Sequence, residues 1–357
     1  MERPRRGARA FAPGAPRHLP AASALFAALL LACAAAPAAA QCAAGDNPCW
    51  CRSAGGWWET PPAPLMQTCK MKFQHQGMQR TANVYLPPGF KPSNRPPMWI
   101  HLHGVFWRAM GDIGKQVGGW PVQAADATAL WDKLAGGKAN REGAVVVYPQ
   151  SLGDPDKRQF FNNGFWLCSV GECIDKNIDD IGFIEQVVSQ LPGKFGADSN
   201  RVFLSGKSAG GILVHAALCK SSIITSKVKA AVDILGGLPE PMAGACVPRA
   251  KTNVLLIHGV KDEHLPWSER VILDYVPFMS KTGAAAFWRG KYGLRDETTR
   301  EFSGGEYRCE YFKARAQDRT TNNKQVALCG IVNAGHTTDI PYVGAPFDLA
   351  WSFLKGL

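Results

Sequence analysis

Gly206-Lys207-Ser208-Ala209-Gly210 sets a serine between two glycines in the spacing G-x-S-x-G. A serine hydroxyl is a weak nucleophile at neutral pH. It needs a base to take its proton, and the base needs an acid to orient it. The spacing alone also fits a plain glycine-rich turn, so the flanks decide. A β-type run at 202–205 precedes the motif and a helical run at 212–219 follows it. Strand, sharp turn and helix together lift a hydroxyl out of a sheet at a helix N-terminus, and glycines relieve the crowding there.

The chain order expected with such a turn is Ser, then Asp or Glu, then His. Asp262 lies just past the apolar run 254–258, in His258-Gly259-Val260-Lys261-Asp262. It is the expected acid. Asp233 competes, but it sits inside an apolar run and reads as structural. His336 follows the run 326–332, in Asn333-Ala334-Gly335-His336, and is the expected base. His258 reads as a structural strand-end residue. His264 is too close to Asp262 to be the base but can line a pocket. The oxyanion of a tetrahedral intermediate needs two N–H donors. Ala209, after the nucleophile, should supply one. Val105, in His101-Leu102-His103-Gly104-Val105, should supply the other, with Gly104 as the alternative. A metal pair at His101 and His103 is the weaker reading of that loop. Trp166, Trp267 and Phe106 are candidates for an aromatic-tolerant pocket, although each alone is more often core.

These residues need a scaffold. Apolar runs at 82–86, 98–102, 144–148, 202–205, 230–235, 254–258 and 326–332 predict strands, several of them buried on both faces. Between them, Ile178, Ile181, Ile184, Val187, Val188 and Leu191 form one stripe and predict a helix over 178–191, capped by Asp175 or Asn177. A last helix is predicted over 347–354. Alternation of this kind implies an α/β fold: a mostly parallel central sheet with helices on both faces and its site at the carboxyl ends of the strands.

The 357 residues are 46% hydrophobic and 19% charged, enough for a sizeable core. Residues 1–40 read as a signal peptide: five arginines, an apolar run at 21–31, and Ala38-Ala39-Ala40 at its end. The apolar run is short for a membrane span. Lipid attachment at Cys33, in Leu30-Leu31-Ala32-Cys33, is an alternative to free secretion. Removing five Arg and one Glu brings the net charge from +11 to +7. No dense basic block marks a nucleic-acid binder, and a monomer is expected. Ten cysteines remain after the leader, an even number that predicts disulfides in an oxidising compartment. The expected pairs are Cys168–Cys173, Cys219–Cys246 and Cys309–Cys329, with Cys42, Cys49, Cys51 and Cys69 pairing among themselves. Metal binding at Cys49-x-Cys51 is disfavoured by the spacing. Residues 41–75, with Trp50, Trp57 and Trp58, read as a small Cys/Trp-rich extension before a catalytic domain at 76–357. It is expected to strap the main domain rather than to form a carbohydrate platform.

Together these motifs resemble the secreted α/β-hydrolase esterases that include polyhydroxybutyrate depolymerases, feruloyl esterases and acetylxylan esterases. The resemblance runs from about Arg80 to the C-terminus. It rests on Arg80-Thr81-Ala82-Asn83-Val84-Tyr85-Leu86-Pro87, Leu102-His103-Gly104, Asp179-Asp180-Ile181-Gly182-Phe183-Ile184, Gly206-Lys207-Ser208-Ala209-Gly210-Gly211, His258-Gly259-Val260-Lys261-Asp262 with Pro266-Trp267, and Ala334-Gly335-His336-Thr337. Val105 stands where relatives often carry Cys, and Lys207 where many carry an apolar residue. The resemblance implies cofactor-free hydrolysis of carboxylic esters, with acetyl or feruloyl esters of plant-wall polysaccharide as the first substrate class. Polyhydroxyalkanoate is the second. A peptidase and a non-catalytic hydrolase-like binding protein are the alternatives from other classes.

Overall fold

In the computed structural model, the described residues are 42–60, 67–105, 142–152, 160–169, 172–250, 252–302, 306–313, 324–336 and 344–357. The leader, with Cys33, lies outside them. The strands are β1 (Trp57–Glu59), β2 (Thr68–His75), β3 (Met78–Tyr85), β4 (Met98–Leu102), β5 (Val145–Pro149), β6 (Cys168–Ser169), β7 (Glu172–Cys173), β8 (Val202–Lys207), β9 (Ala230–Ile234), β10 (Asn253–Gly259), β11 (Val271–Leu273), β12 (Val276–Phe278), β13 (Asp296–Phe302), β14 (Tyr307–Lys313) and β15 (Gln325–Ile331). The described helices are α1 (Asn47–Ser53), α2 (Asp180–Lys194), α3 (Ala209–Lys220), α4 (Ser222–Lys227), α5 (Glu240–Ala245), α6 (Lys281–Tyr292) and α7 (Gly344–Lys355).

Eleven strands form one sheet in the order β1-β2-β3-β5-β4-β8-β9-β10-β15-β14-β13. The six central strands, β5 to β15, run parallel. The flanks, β1-β2-β3 and β14-β13, are antiparallel. The seven runs picked out by apolarity are seven of these strands. Alternation along a strand splits the core in two. On β4, Met98, Ile100 and Leu102 join one buried cluster with α2 and α3, whereas Trp99 joins another with Trp351 of α7. Helices therefore cover both faces of a mostly parallel sheet, which is the α/β-hydrolase arrangement.

Of the predicted stripe, Ile178 precedes α2 and Ile181 is half-buried, whereas Ile184, Val187, Val188 and Leu191 are buried together with Phe183. Each buried side chain contributes about 1.5–3 kcal/mol of burial. The cap of α2 corrects the sequence reading: Asp179, rather than Asp175 or Asn177, accepts from the Gly182 N–H. Asp179 is also held by His75 Nε2 at 3.0 Å, so β2 braces the residue that caps the helix. The next residue, Asp180, makes a buried ion pair with Arg80 of β3, which ties the start of α2 to the sheet.

Residues 41–75 include α1, β1 and β2, and β2 runs beside β3 within the main sheet. Trp50 meets Phe90 edge-on, and Asn47 Nδ2 donates to the Leu86 carbonyl. Lys72 lies 4.5 Å from the Trp57 ring. The disulfides are Cys42–Cys49, Cys51–Cys69, Cys168–Cys173, Cys219–Cys246 and Cys309–Cys329. The second ties α1 to β2, and the last spans β14 and β15. Among the described residues, no helix is long and apolar enough to cross a membrane.

Candidate active site

Ser208 stands between β8 and α3 with φ 50° and ψ −116°. A residue with a Cβ pays for positive φ, and the turn is held there from three sides. The Ser208 N–H donates to the Ile234 carbonyl of β9 at 2.9 Å. Gly206 passes so close to Gly210 that an added Cβ would strike the Gly210 carbonyl oxygen. Gly210 itself lies against the Leu102 and His103 carbonyls. Only glycine fits where three backbones meet, and the result is a side chain aimed off the sheet.

Two further strand ends deliver partners. Ser208 Oγ is 3.1 Å from His336 Nε2, and His336 Nδ1 is 2.8 Å from Asp262 Oδ2. An ionised carboxylate only accepts, so Nδ1 carries the imidazole proton. Nε2 is then bare and accepts from the serine hydroxyl. Asp262 Oδ1 accepts the N–H groups of His264 and Leu265, both at 2.9 Å. Burial opposes ionisation of Asp262, but hydrogen bonds from His258 and His336 outweigh it. They hold the carboxyl well below the usual range. This arrangement can abstract a serine proton and stabilise the imidazolium that forms.

Ala209 opens α3, so its N–H is among those with no partner inside the helix. Gly104 packs against the nucleophile: an added Cβ would lie 3.3 Å from Ser208 Cβ. His103 Nδ1 is 2.8 Å from the Gly104 carbonyl, and its Nε2 accepts the Ser151 N–H at 3.2 Å. The carbonyl only accepts, so the proton sits on Nδ1. In a trans peptide the Val105 N–H lies opposite the Gly104 carbonyl that His103 holds. His101 Nδ1 pairs with Ser205 Oγ at 2.7 Å. The two histidines thus brace the strand and the loop.

Burial is the main reason both rings are uncharged, His101 at about 3 and His103 at about 4. His103 and Lys207 add to the effect on His101. Burial also pushes the half-buried Lys207 ammonium down. Between pH 6.5 and those values the unfolded chain binds protons that the folded chain refuses. Stability therefore falls as pH drops through this window. For His103 alone the loss by pH 4 should be roughly 3 kcal/mol. Urea unfolding of wild type and His103→Gln across this range should show a shallower pH slope in the variant, and equal slopes would refute the assignment.

The His264 ring is exposed and meets His336 edge-on at 5.2 Å. Trp267 is half-buried, its ring against Gly330 of β15. Trp166 is buried against Phe160 at 5.1 Å, its backbone held by Asn163. Phe106 lies outside the described residues. Asp233 sits in a buried network with His215 and Lys281. His258, read as a strand-end residue, stands 3.0 Å from Asp262 Oδ2. Its spacing to Asp262 carried no sign that the loop curls back.

No family model matches the chain. It is similar to feruloyl esterase B of Piromyces equi, 22% identical over 281 residues, which is 77% of this chain and 45% of that protein. It is also similar to a bifunctional acetylxylan esterase/xylanase of Neocallimastix patriciarum, 24% identical over 196 residues, 55% of this chain and 23% of that protein. The chain thus spans less than half the length of these curated relatives. Among solved structures it is similar to an acetyl xylan esterase from Aspergillus awamori, with a TM-score of 0.49 and 15% identity, over 80% of this chain and 99% of that one.

Proposed function

We propose that this chain is a serine carboxylic-ester hydrolase that works through an acyl-enzyme on Ser208. The observation that carries the reading is the unbroken relay from Ser208 Oγ through His336 to Asp262, set on a strained turn at the ends of β8, β10 and β15. Ser208 Oγ attacks the ester carbonyl as its proton passes to His336 Nε2. The N–H groups of Val105 and Ala209 receive the oxyanion, and the imidazolium returns the proton to the leaving alcohol. Water then repeats the sequence on the acyl-enzyme. No step calls for a metal or an organic cofactor.

The substrate class we propose is acetyl or feruloyl ester on plant-wall polysaccharide, in keeping with the two curated relatives, both named as esterases. Five disulfides support an exported protein, with residues 1–40 as the signal peptide and 76–357 as the catalytic domain. Purified protein lacking the leader would be assayed on nitrophenyl acetate, methyl ferulate, acetylated xylan and short-chain polyhydroxybutyrate. Turnover of acetylated xylan or methyl ferulate is expected. Preference for the polyester would move the substrate class. Folded protein inert on all four would leave a non-catalytic binding role as the better account.

A further inference from the structure

His258 is fully buried near the end of β10 and takes no part in the relay just described. Its Nε2 lies 3.0 Å from Asp262 Oδ2 and 2.6 Å from the Leu265 carbonyl. A carbonyl only accepts, so Nε2 carries the proton. Nδ1 is buried without a hydrogen-bond partner among the described residues. One N–H is therefore forked between the carboxylate and the backbone of the loop that bears it.

Among the described residues the carboxylate takes four donors. Oδ1 accepts the backbone N–H groups of His264 and Leu265, and Oδ2 is shared by His336 and His258. That uses the roughly four lone-pair sites of the group. We infer that His258 is a positioning residue for Asp262: its Nε2–H closes the loop around the carboxylate and takes a share of the negative charge on Oδ2, which His336 would otherwise hold alone. The inference rests on the proposed reading of Asp262 as the acid that orients His336.

The surroundings leave His258 as a neutral donor. Burial and the Lys281 ammonium of α6 push its imidazole down, against the pull of Asp262. On the neighbouring strand β9, Asp233 is already engaged by Lys281 and His215. On the other side, His258 pairs in register with Gly330 of β15, which brings no side chain. Lys261, Glu263 and His264, on the loop itself, are exposed. A neutral N–H shared with Oδ2 makes that oxygen a weaker partner for an imidazolium than it would be alone.

The test compares His258→Leu, which fills the space without a donor, with His258→Gln, whose amide N–H can reach the place of Nε2. In His258→Leu, kcat should fall about tenfold to a hundredfold, as for a small misplacement of a catalytic group. The acid limb of the kcat/KM profile should move up by about half a unit to one unit, because the triad imidazole holds its proton more tightly. KM should stay nearly constant, and His258→Gln should restore both kcat and the limb. A His258→Leu protein that is less stable but keeps the wild-type kcat and limb would reduce His258 to a packing role.

NMR of the wild type needs neither turnover nor a variant that folds. Ring nitrogen shifts should show His258 protonated on Nε2 and bare on Nδ1, and the opposite tautomer would overturn the inference. The low-field proton of His336 Nδ1–H should shift in His258→Leu and not in His258→Gln. If the wild type cleaves no ester yet that resonance moves as expected, the esterase reading fails and the positioning of Asp262 stands. If the wild type is active and neither resonance nor limb moves, the positioning role fails alone.

Discussion

Ser208→Ala is expected to lower kcat on nitrophenyl acetate by about ten-thousandfold to a millionfold, with KM changed by less than about threefold. The size follows from what is removed. Ser208 Oγ is the atom His336 Nε2 faces at 3.1 Å, and without it the proposed acyl-enzyme has no oxygen to form on. Only binding and the oxyanion donors remain to favour attack by water. Stability should barely move, since alanine keeps the positive φ of 50° and loses no packed volume. Ser208→Gly supplies the control. It should be equally inactive, and more stable by about 1 kcal/mol because glycine accepts that backbone without strain. Kinetics and urea unfolding on the three proteins check both parts. A Ser208→Ala protein that keeps more than about a hundredth of the activity would remove Ser208 from the nucleophile role.

Asp262→Asn should cost about a thousandfold to ten-thousandfold in kcat, in line with the isosteric change in other Ser-His-Asp sites. The reason here is the number of donors. Asp262 accepts from His264 N, Leu265 N, His336 Nδ1 and His258 Nε2, all within 3.0 Å. An amide offers one accepting oxygen and a donating NH2. Wherever the NH2 points, it meets another donor. If it faces His336, the ring must move its proton to Nε2, and Nε2 can no longer take one from Ser208. If it faces the backbone, two N–H groups lose their acceptor, at about 1–3 kcal/mol each. The variant should therefore lose stability as well as rate, unlike Ser208→Ala. The wild-type carboxylate adds stability above the ordinary carboxylate range and loses it as pH falls through its depressed folded value. The unfolding free energy of Asp262→Asn should accordingly depend less on pH in acid. An Asn variant with more than about a tenth of wild-type kcat would show that His336 is oriented without Asp262.

The central strands were legible because parallel strands are buried on both faces. Their sequences are continuous apolar runs, and β4, β5, β9 and β10 are buried at every position. The flanking strands were not legible for the converse reason. β13, Asp-Glu-Thr-Thr-Arg-Glu-Phe, and the partly exposed β14 carry polar residues that read as loop. Pairing of β14 in register with β15, from Tyr307↔Ile331 to Lys313↔Gln325, and of β13 with β14 makes them strands. β2 likewise alternates buried Met71 and Phe73 with more exposed Lys72 and Gln74, a pattern too diluted by charge to stand out.

Among the functional candidates, residue type and chain order singled out Ser208, Asp262 and His336, because the chemistry of a weak nucleophile restricts what can serve it and each follows a recognisable strand. Convergence was not in that order. His336 is 128 positions from Ser208 and 74 from Asp262, and the parallel register of β8, β9, β10 and β15 brings the three loops to one edge. The burial of Trp166, the choice of Asp179 as cap and the second histidine on Asp262 depend on contacts between segments far apart in the chain or on the closing of a loop. Sequence periodicity records which face of an element is apolar and which residues can do chemistry. The direction of a loop side chain depends on what packs against it, and for His258 that was decided by the return of Asp262 over the end of β10.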